Sequence, residues 1–146
     1  MAEQKILEIV RIFHAPAEDV FDAWTDPKIM AEWFFAHPTW SVDVEADVRV
    51  GGLYRLTMKA PDGTEFETHG EYREIEAPRR LVFTWNSYIV TGTLVTVEIR
   101  ADGDKSELHL THTKLDDEAV RKRHADGWAG CLDSLERHFA PSRNRK

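Results

Sequence analysis

The sequence predicts an α+β domain in which a curved antiparallel sheet covers its apolar face with one long C-terminal helix. Three observations carry this. Between Trp40 and Thr113, segments of alternating, β-branched and aromatic residues follow one another across short turn signals. Connections so short join antiparallel neighbours, because a parallel crossover needs a dozen or more residues. From Asp117 the apolar period changes to that of a helix, which gives the sheet a partner for its apolar side.

The first strand is expected over residues 5–14. Ile6, Leu7, Ile9, Val10, Ile12 and Phe13 put apolar side chains on both of its faces, so its register stays open. Pro16 suits a first helical position, and Ala17, Val20, Phe21 and Trp24 then recur on one helical face. Asp26 is placed to cap a second helix with Pro27 at its first position and an apolar stripe of Ile29, Met30, Trp33 and Phe34. Two short helices cannot bury that much aromatic surface against each other. They need a sheet or a ligand cavity to close on.

The meander then runs through strands at residues 40–47, 53–59, 66–75, 81–86, 93–100 and 107–113. Gly51-Gly52, Pro61-Asp62-Gly63, Ala77-Pro78 and Ala101-Asp102-Gly103-Asp104 supply turns or bulges between them. Alternation turns Tyr54, Leu56 and Met58 inward, with Leu81, Phe83 and Trp85, then Val95, Val97 and Ile99, then Leu108, Leu110 and His112. Arg55, Thr57, Lys59, Glu98, Arg100, His109 and Thr111 form the wet face. On the last helix Val120, His124, Trp128, Leu132, Leu135 and Phe139 trace one stripe, behind acids at 116–118 that favour a helix N-terminus. Gly127 and Gly130 interrupt this helix at roughly 1 kcal/mol each relative to alanine. Tight packing on the sheet or a widened pocket would offset that loss.

A chain of 146 residues suits one domain, expected over residues 1–141, with the polar, basic residues 142–146 fraying as a tail. A net charge of −7 argues against a nucleic-acid partner, which requires clustered Lys and Arg. Cys131, the one cysteine, excludes an internal disulfide and fits a reducing compartment. Charges interrupt residues 6–13 too often for a signal peptide or membrane span, so the cytoplasm is the expected location, without membrane insertion.

The run P-x-x-x-V-F-x-A-W-T-D-P-x-x-x-x-x-W-F from Pro16 to Phe34 resembles the helix-grip superfamily of the birch pollen allergen and the lipid-transfer START domains. V-R-V-G-G-x-Y-R from Val48, H-G-E-Y-R-E-I from His69, R-L-V-F-T-W from Arg80 and H-x-x-G-W-x-x-x-L-x-x-L from His124 narrow the match. They look like bacterial relatives of the C-terminal domain of the heat-shock protein 90 ATPase activator. The resemblance covers nearly the whole chain and implies the helix-grip fold. It also implies a choice of functions, because the superfamily hosts lipid carriers, hormone receptors, polyketide aromatases and cyclases, antibiotic-resistance proteins and co-chaperones.

Among candidate chemical groups, His109 and His112 lie three apart in a strand and project to opposite faces, so they cannot chelate one ion, and no acid or cysteine completes a ligand set. Cys131 sits at a core-like position without an activating base in sequence. No nucleophile elbow, phosphate loop or dinucleotide fingerprint is present, and no cofactor is expected. His112 is inward at the end of the last strand with His124 facing it; its bland reading is a hydrogen-bonded structural residue. Tyr54, Tyr72 and Asn86 are further polar points. Trp24, Trp33, Trp85 and Trp128 come from four elements, all on inward stripes, and read as core or as cavity wall.

The residues alone fit a filled core and a ligand cavity equally; the resemblance tips the reading to a cavity, and with it to binding of a small hydrophobic or aromatic ligand, lipid or polyketide-like, between sheet and C-terminal helix. Trp24, Trp33, Tyr54, Met58, Phe83, Trp85, His112 and Trp128 are the wall candidates. The alternatives are a cyclase- or hydrolase-like enzyme on an aromatic substrate, with His112 or Tyr54 in acid–base roles, and a stress-related co-chaperone. A second copy of the chain and a chaperone are the macromolecular partners to consider.

Overall fold

A computed structural model describes residues 6–140. Its elements in chain order are β1 (Ile6–Phe13), α1 (Ala17–Thr25), α2 (Pro27–Trp33), β2 (Ser41–Ala46), β3 (Leu53–Lys59), β4 (Glu65–Glu76), β5 (Arg80–Trp85), β6 (Thr93–Asp102), β7 (Lys105–Thr113) and α3 (Glu118–Phe139). The seven strands form one antiparallel sheet in the order β1-β7-β6-β5-β4-β3-β2. Strands β2 to β7 thus lie beside their neighbours in sequence, and β1 closes the series against β7. This is the helix-grip α+β fold that the sequence predicts. Lys5 of the expected first strand and the expected tail at 142–146 lie outside the described residues.

The register of β1, open from sequence, is fixed by β7. Ile9 pairs with Leu110 and Leu7 with His112, and directly opposed residues share a face. Leu7, Ile9 and Phe13 therefore look inward with the fully buried Leu110 and His112. Ile6, Val10 and Ile12 remain on the outer face, 42%, 51% and 47% exposed. Salt bridges organise much of the rest of that face: Arg55 with Glu45, Lys59 with Asp43, and Arg80 between Glu74 and Glu98.

Helix α1 begins one residue later than its sequence suggests. Pro16 is the N-cap in extended conformation, φ −63° and ψ 157°, and its carbonyl accepts from the N–H groups of Asp19 and Val20. The proline ring permits this φ, while its ψ keeps it outside the helix. Asp26 does cap α2, its carboxylate accepting from the N–H of Lys28 at 2.9 Å. Strands β6 and β7 run further than expected. Asp102 pairs with Lys105, so the loop shrinks to Gly103 and Asp104, with Gly103 at φ 65° supplying the left-handed turn residue.

Helices α1 and α2 turn Val20, Phe21, Trp24, Met30 and Trp33 into the core, and α3 crosses the inner face of the sheet with Trp128, Leu132 and Leu135 against it. Gly130 and Gly127 have different surroundings. A Cβ on Gly130 would stand 2.1 Å from the carbonyl oxygen of Ala36, so α3 touches the chain after α2 by backbone contact. A Cβ on Gly127 would meet nothing within 4 Å.

Candidate ligand cleft

Four tryptophans from four elements meet under the sheet. The Trp24 ring lies 4.9 Å from Trp33 and 6.0 Å from Trp128, and Trp85 lies 4.9 Å from Trp128. The Trp33 indole N–H donates to the Ala23 carbonyl at 2.8 Å. The Trp24 N–H is buried with no hydrogen-bond partner among the described residues; its ring stands edge-on to Trp33 and Phe34 instead.

This cluster divides the interior. On the side of β3 and β4, Trp24, Tyr54 and Phe83 surround, with Met30, Phe34, Leu56 and Tyr72, a void of about 10 Å³. That is no more than one water-sized space. On the other side an open cleft of about 370 Å³ runs between the end of β5 and the N-terminal half of α3. Met58 of β3, Phe66 and Thr68 of β4, and Trp85 of β5 form one wall; Arg123, His124, Asp126, Gly127, Trp128 and Cys131 of α3 form the other. His37 and Trp40 before β2, and Ser87 to Ile89 after β5, close its ends. Trp40 and Phe66 stack at 5.2 Å with their planes 5° apart.

Of the eight predicted wall residues, Met58, Trp85 and Trp128 line this cleft; Trp24, Tyr54 and Phe83 line the small void; Trp33 and His112 line neither. Sequence reasoning omitted Trp40, Phe66, Thr68, Tyr88 and Arg123. The β4 alternation that turns Phe66, Thr68, Gly70 and Tyr72 inward would have found two of them, and alternation along the expected strand at 40–47 would have put Trp40 on the face of the buried Val42; Tyr88 lies outside the strands, where periodicity gives no direction.

His112 sits behind the Trp85–Trp128 pair with every ring nitrogen engaged. The Trp128 indole N–H donates to its Nδ1 at 3.1 Å, which leaves the proton on Nε2 to donate to Thr93 Oγ1 at 2.9 Å. The Thr93 hydroxyl in turn donates to the Trp85 carbonyl at 2.6 Å. Burial, and then the nearby His124, lower the His112 pKa to about 3, so the ring is neutral. His124 faces it at 5.1 Å between ring centroids, as expected, and donates from Nδ1 to the Val120 carbonyl at 2.9 Å.

Tyr54 donates its hydroxyl to the Thr84 carbonyl at 2.5 Å, and burial followed by the neighbouring Tyr72 raises its pKa well above the ordinary value. The buried Cys131 thiol is pushed up to about 12 by burial. His109 lies outward with Nε2 3.3 Å from Glu107, across β7 from His112, so the two imidazoles are on opposite faces. Among the described residues no group of three His, Cys, Asp or Glu side chains could hold a metal, and no helix is long and apolar enough to cross a membrane.

A larger groove of about 900 Å³ lies on the outer face over β2 to β5. Its Arg55 and Arg73 are paired with Glu45 and Glu71, which marks it as a solvated charged face.

Residues 14–140 match the family model of activator of Hsp90 ATPase homolog 1-like proteins. A Chromobacterium violaceum protein of solved structure superposes with a TM-score of 0.85 at 24% identity, covering 94% of this chain and 99% of that one. An AHSA1-like protein from Aeromonas hydrophila does so with a TM-score of 0.77 at 26% identity, over 96% and 100% of the two chains. A Rhizobium leguminosarum protein gives 0.76 at 27% identity, over 94% and 95%. No curated protein shows significant sequence similarity to the chain.

Proposed function

The chain belongs to the family of activator of Hsp90 ATPase homolog 1-like proteins, and on that premise we propose that it binds a small apolar or aromatic molecule in the cleft between β5 and α3. The observation that carries this reading is the cleft itself. Its volume of about 370 Å³ falls within the roughly 300–1,000 Å³ of small-molecule sites. Met58, Phe66, Trp85 and Trp128 supply apolar wall, and Gly127 leaves bare backbone where a side chain would fill the space.

The two side chains that the sequence offered for acid–base roles support binding over turnover. Both are committed within the fold: His112 to Trp128 and Thr93, Tyr54 to Thr84. A passive pocket with few polar groups orients a ligand without activating it. The co-chaperone reading rests on the family resemblance, whereas the cleft is a feature of this chain.

Denaturing extraction of freshly purified protein followed by mass spectrometry, together with titration of the tryptophan fluorescence by 2-naphthol, tests the reading. Saturable quenching that Gly127→Phe abolishes while the fold is retained is the expected result. A linear response in both proteins, with no extractable small molecule, would count against a defined site.

A further inference from the structure

The polar groups of the cleft narrow the chemistry of its occupant. Arg123 stands at the mouth beside the 65%-exposed Tyr88, whose hydroxyl accepts from its Nη2 at 2.7 Å and whose ring lies 5.7 Å from its guanidinium carbon. Among the described residues this guanidinium, like those of Arg121 and Arg137, has no carboxylate within 4 Å, whereas Arg11, Arg49, Arg55, Arg73, Arg79, Arg80 and Arg100 of the same acidic chain each have at least one. The Tyr88 contact holds it in place and leaves donors of its planar fork uncommitted.

His124, one residue on and largely buried, donates from Nδ1 to the Val120 carbonyl, which leaves Nε2 of the neutral ring an acceptor and the guanidinium of Arg123 the carboxylate donor at this end. At the floor, Thr68 is 6% exposed and lines the cleft, and its hydroxyl has no hydrogen-bond partner among the described residues. The hydroxyl is open to the cleft, so a polar atom of a bound molecule can reach it and either donate to it or accept from it.

Two acids adjoin the cleft. Alternation along β4 turns Glu67 to the outer face, where its charge acts on Arg55. Asp126 is exposed on α3, solvated at the rim.

Resting on the reading of this cleft as a ligand site, we propose that its occupant is an aromatic hydroxy acid. The ring system lies against Met58, Trp85 and Trp128, the carboxylate is held by Arg123, and the hydroxyl at the far end meets Thr68. Arginine and carboxylate match as fork to fork, and a charge-assisted pair is stronger than the neutral hydrogen bonds a simple hydrocarbon or alcohol could make there. The apolar floor supplies affinity, while the two polar ends fix orientation.

The test uses 6-hydroxy-2-naphthoate, 2-naphthoate and methyl 2-naphthoate, titrated by tryptophan fluorescence and calorimetry into the full chain and its variants. Arg123→Met should weaken both acids at least tenfold and leave the methyl ester within twofold. Arg123→Lys should recover part of that loss. Thr68→Val should weaken only the hydroxylated acid, by about threefold to tenfold, the range a neutral hydrogen bond spans. If all three probes bind and Arg123→Met treats acid and ester alike, the hydroxy-acid assignment is overturned while the cleft remains a binding site. If none binds, the proposed function falls with it. Arg123 is exposed, so its variants keep the fold, which the melting temperature checks.

Discussion

The indole N–H of Trp128 donates to Nδ1 of His112 at 3.1 Å, and that one bond fixes both the tautomer of the histidine and the back wall of the cleft. With Nδ1 an acceptor, Nε2 carries the proton toward Thr93, and the relay ends on the Trp85 carbonyl. Protonation of Nδ1 would break the relay at its first link. The folded-state pKa, about 3, lies below the free value of 6.5, so the neutral ring contributes stability that is complete above about pH 6.5 and is lost as pH falls toward 3. The full difference is on the order of 5 kcal/mol. Denaturant unfolding of the wild type should therefore show stability dropping between pH 6.5 and 4 more steeply than in His112→Phe. At pH 7 that variant should be less stable by about 1–3 kcal/mol, since Trp128 keeps an unsatisfied donor. Parallel pH profiles for the two proteins would refute the buried neutral histidine.

Gly127 and Gly130 lie one helical turn apart and should respond to alanine with opposite signs. At Gly127 nothing stands within 4 Å of the added methyl, so Gly127→Ala should stabilise by about 0.5–1 kcal/mol through helix propensity. At Gly130 the methyl would stand 2.1 Å from the Ala36 carbonyl oxygen, and α3 must shift away from the chain after α2. A net loss of about 1–3 kcal/mol is expected despite the same propensity gain. Urea denaturation of the two variants side by side reads the signs directly.

The meander of strands, the two short helices and the α3 stripe were legible because each is a periodic pattern in which burial and spacing agree. Val20, Phe21 and Trp24 are all buried, as their spacing requires. The register of β1 was not legible, because both of its faces are apolar and only pairing with β7 chooses between them. The two roles of the α3 glycines were also hidden: tight packing holds at Gly130 and open space at Gly127, a distinction that depends on where the Ala36 carbonyl arrives. For the cleft, strand alternation identified Met58 and Trp85 and helix periodicity Trp128. Tyr88 and Arg123 meet through a loop and a helix 35 residues apart, and neither periodicity predicts that contact.

Met58 is the half-buried member of its strand's inward set, with Tyr54 and Leu56 buried beside it. Its side chain faces the cleft, so Met58→Trp has open volume to enter. Overpacking a filled core typically destabilises by about 1–3 kcal/mol, whereas a cleft absorbs the added ring with less. The variant should fold with a melting temperature near that of the wild type and lose most of its affinity for 2-naphthol. Unfolding on substitution would show that the space at Met58 is closed in solution.

Cys131 lines the same cleft from α3, yet the residue is only 4% exposed and burial pushes its thiol pKa up to about 12. At pH 8 that leaves roughly one thiolate in ten thousand, against about a quarter for an unperturbed cysteine, so alkylation by iodoacetamide should be on the order of a thousandfold slower in the folded chain than in urea. Occupation of the cleft by 2-naphthol should slow it further, because Cys131 lines the cleft and the ligand would cover it from that side. Cys131→Ala should cost about 1–2 kcal/mol, the scale of trimming a small buried side chain, and leave naphthol affinity within a few-fold of wild type. Rapid labelling of the native protein that naphthol does not retard would place the thiol in contact with solvent by another route. Loss of binding in a folded Cys131→Ala would make the sulfur part of the site's chemistry and turn the passive pocket into a reactive one.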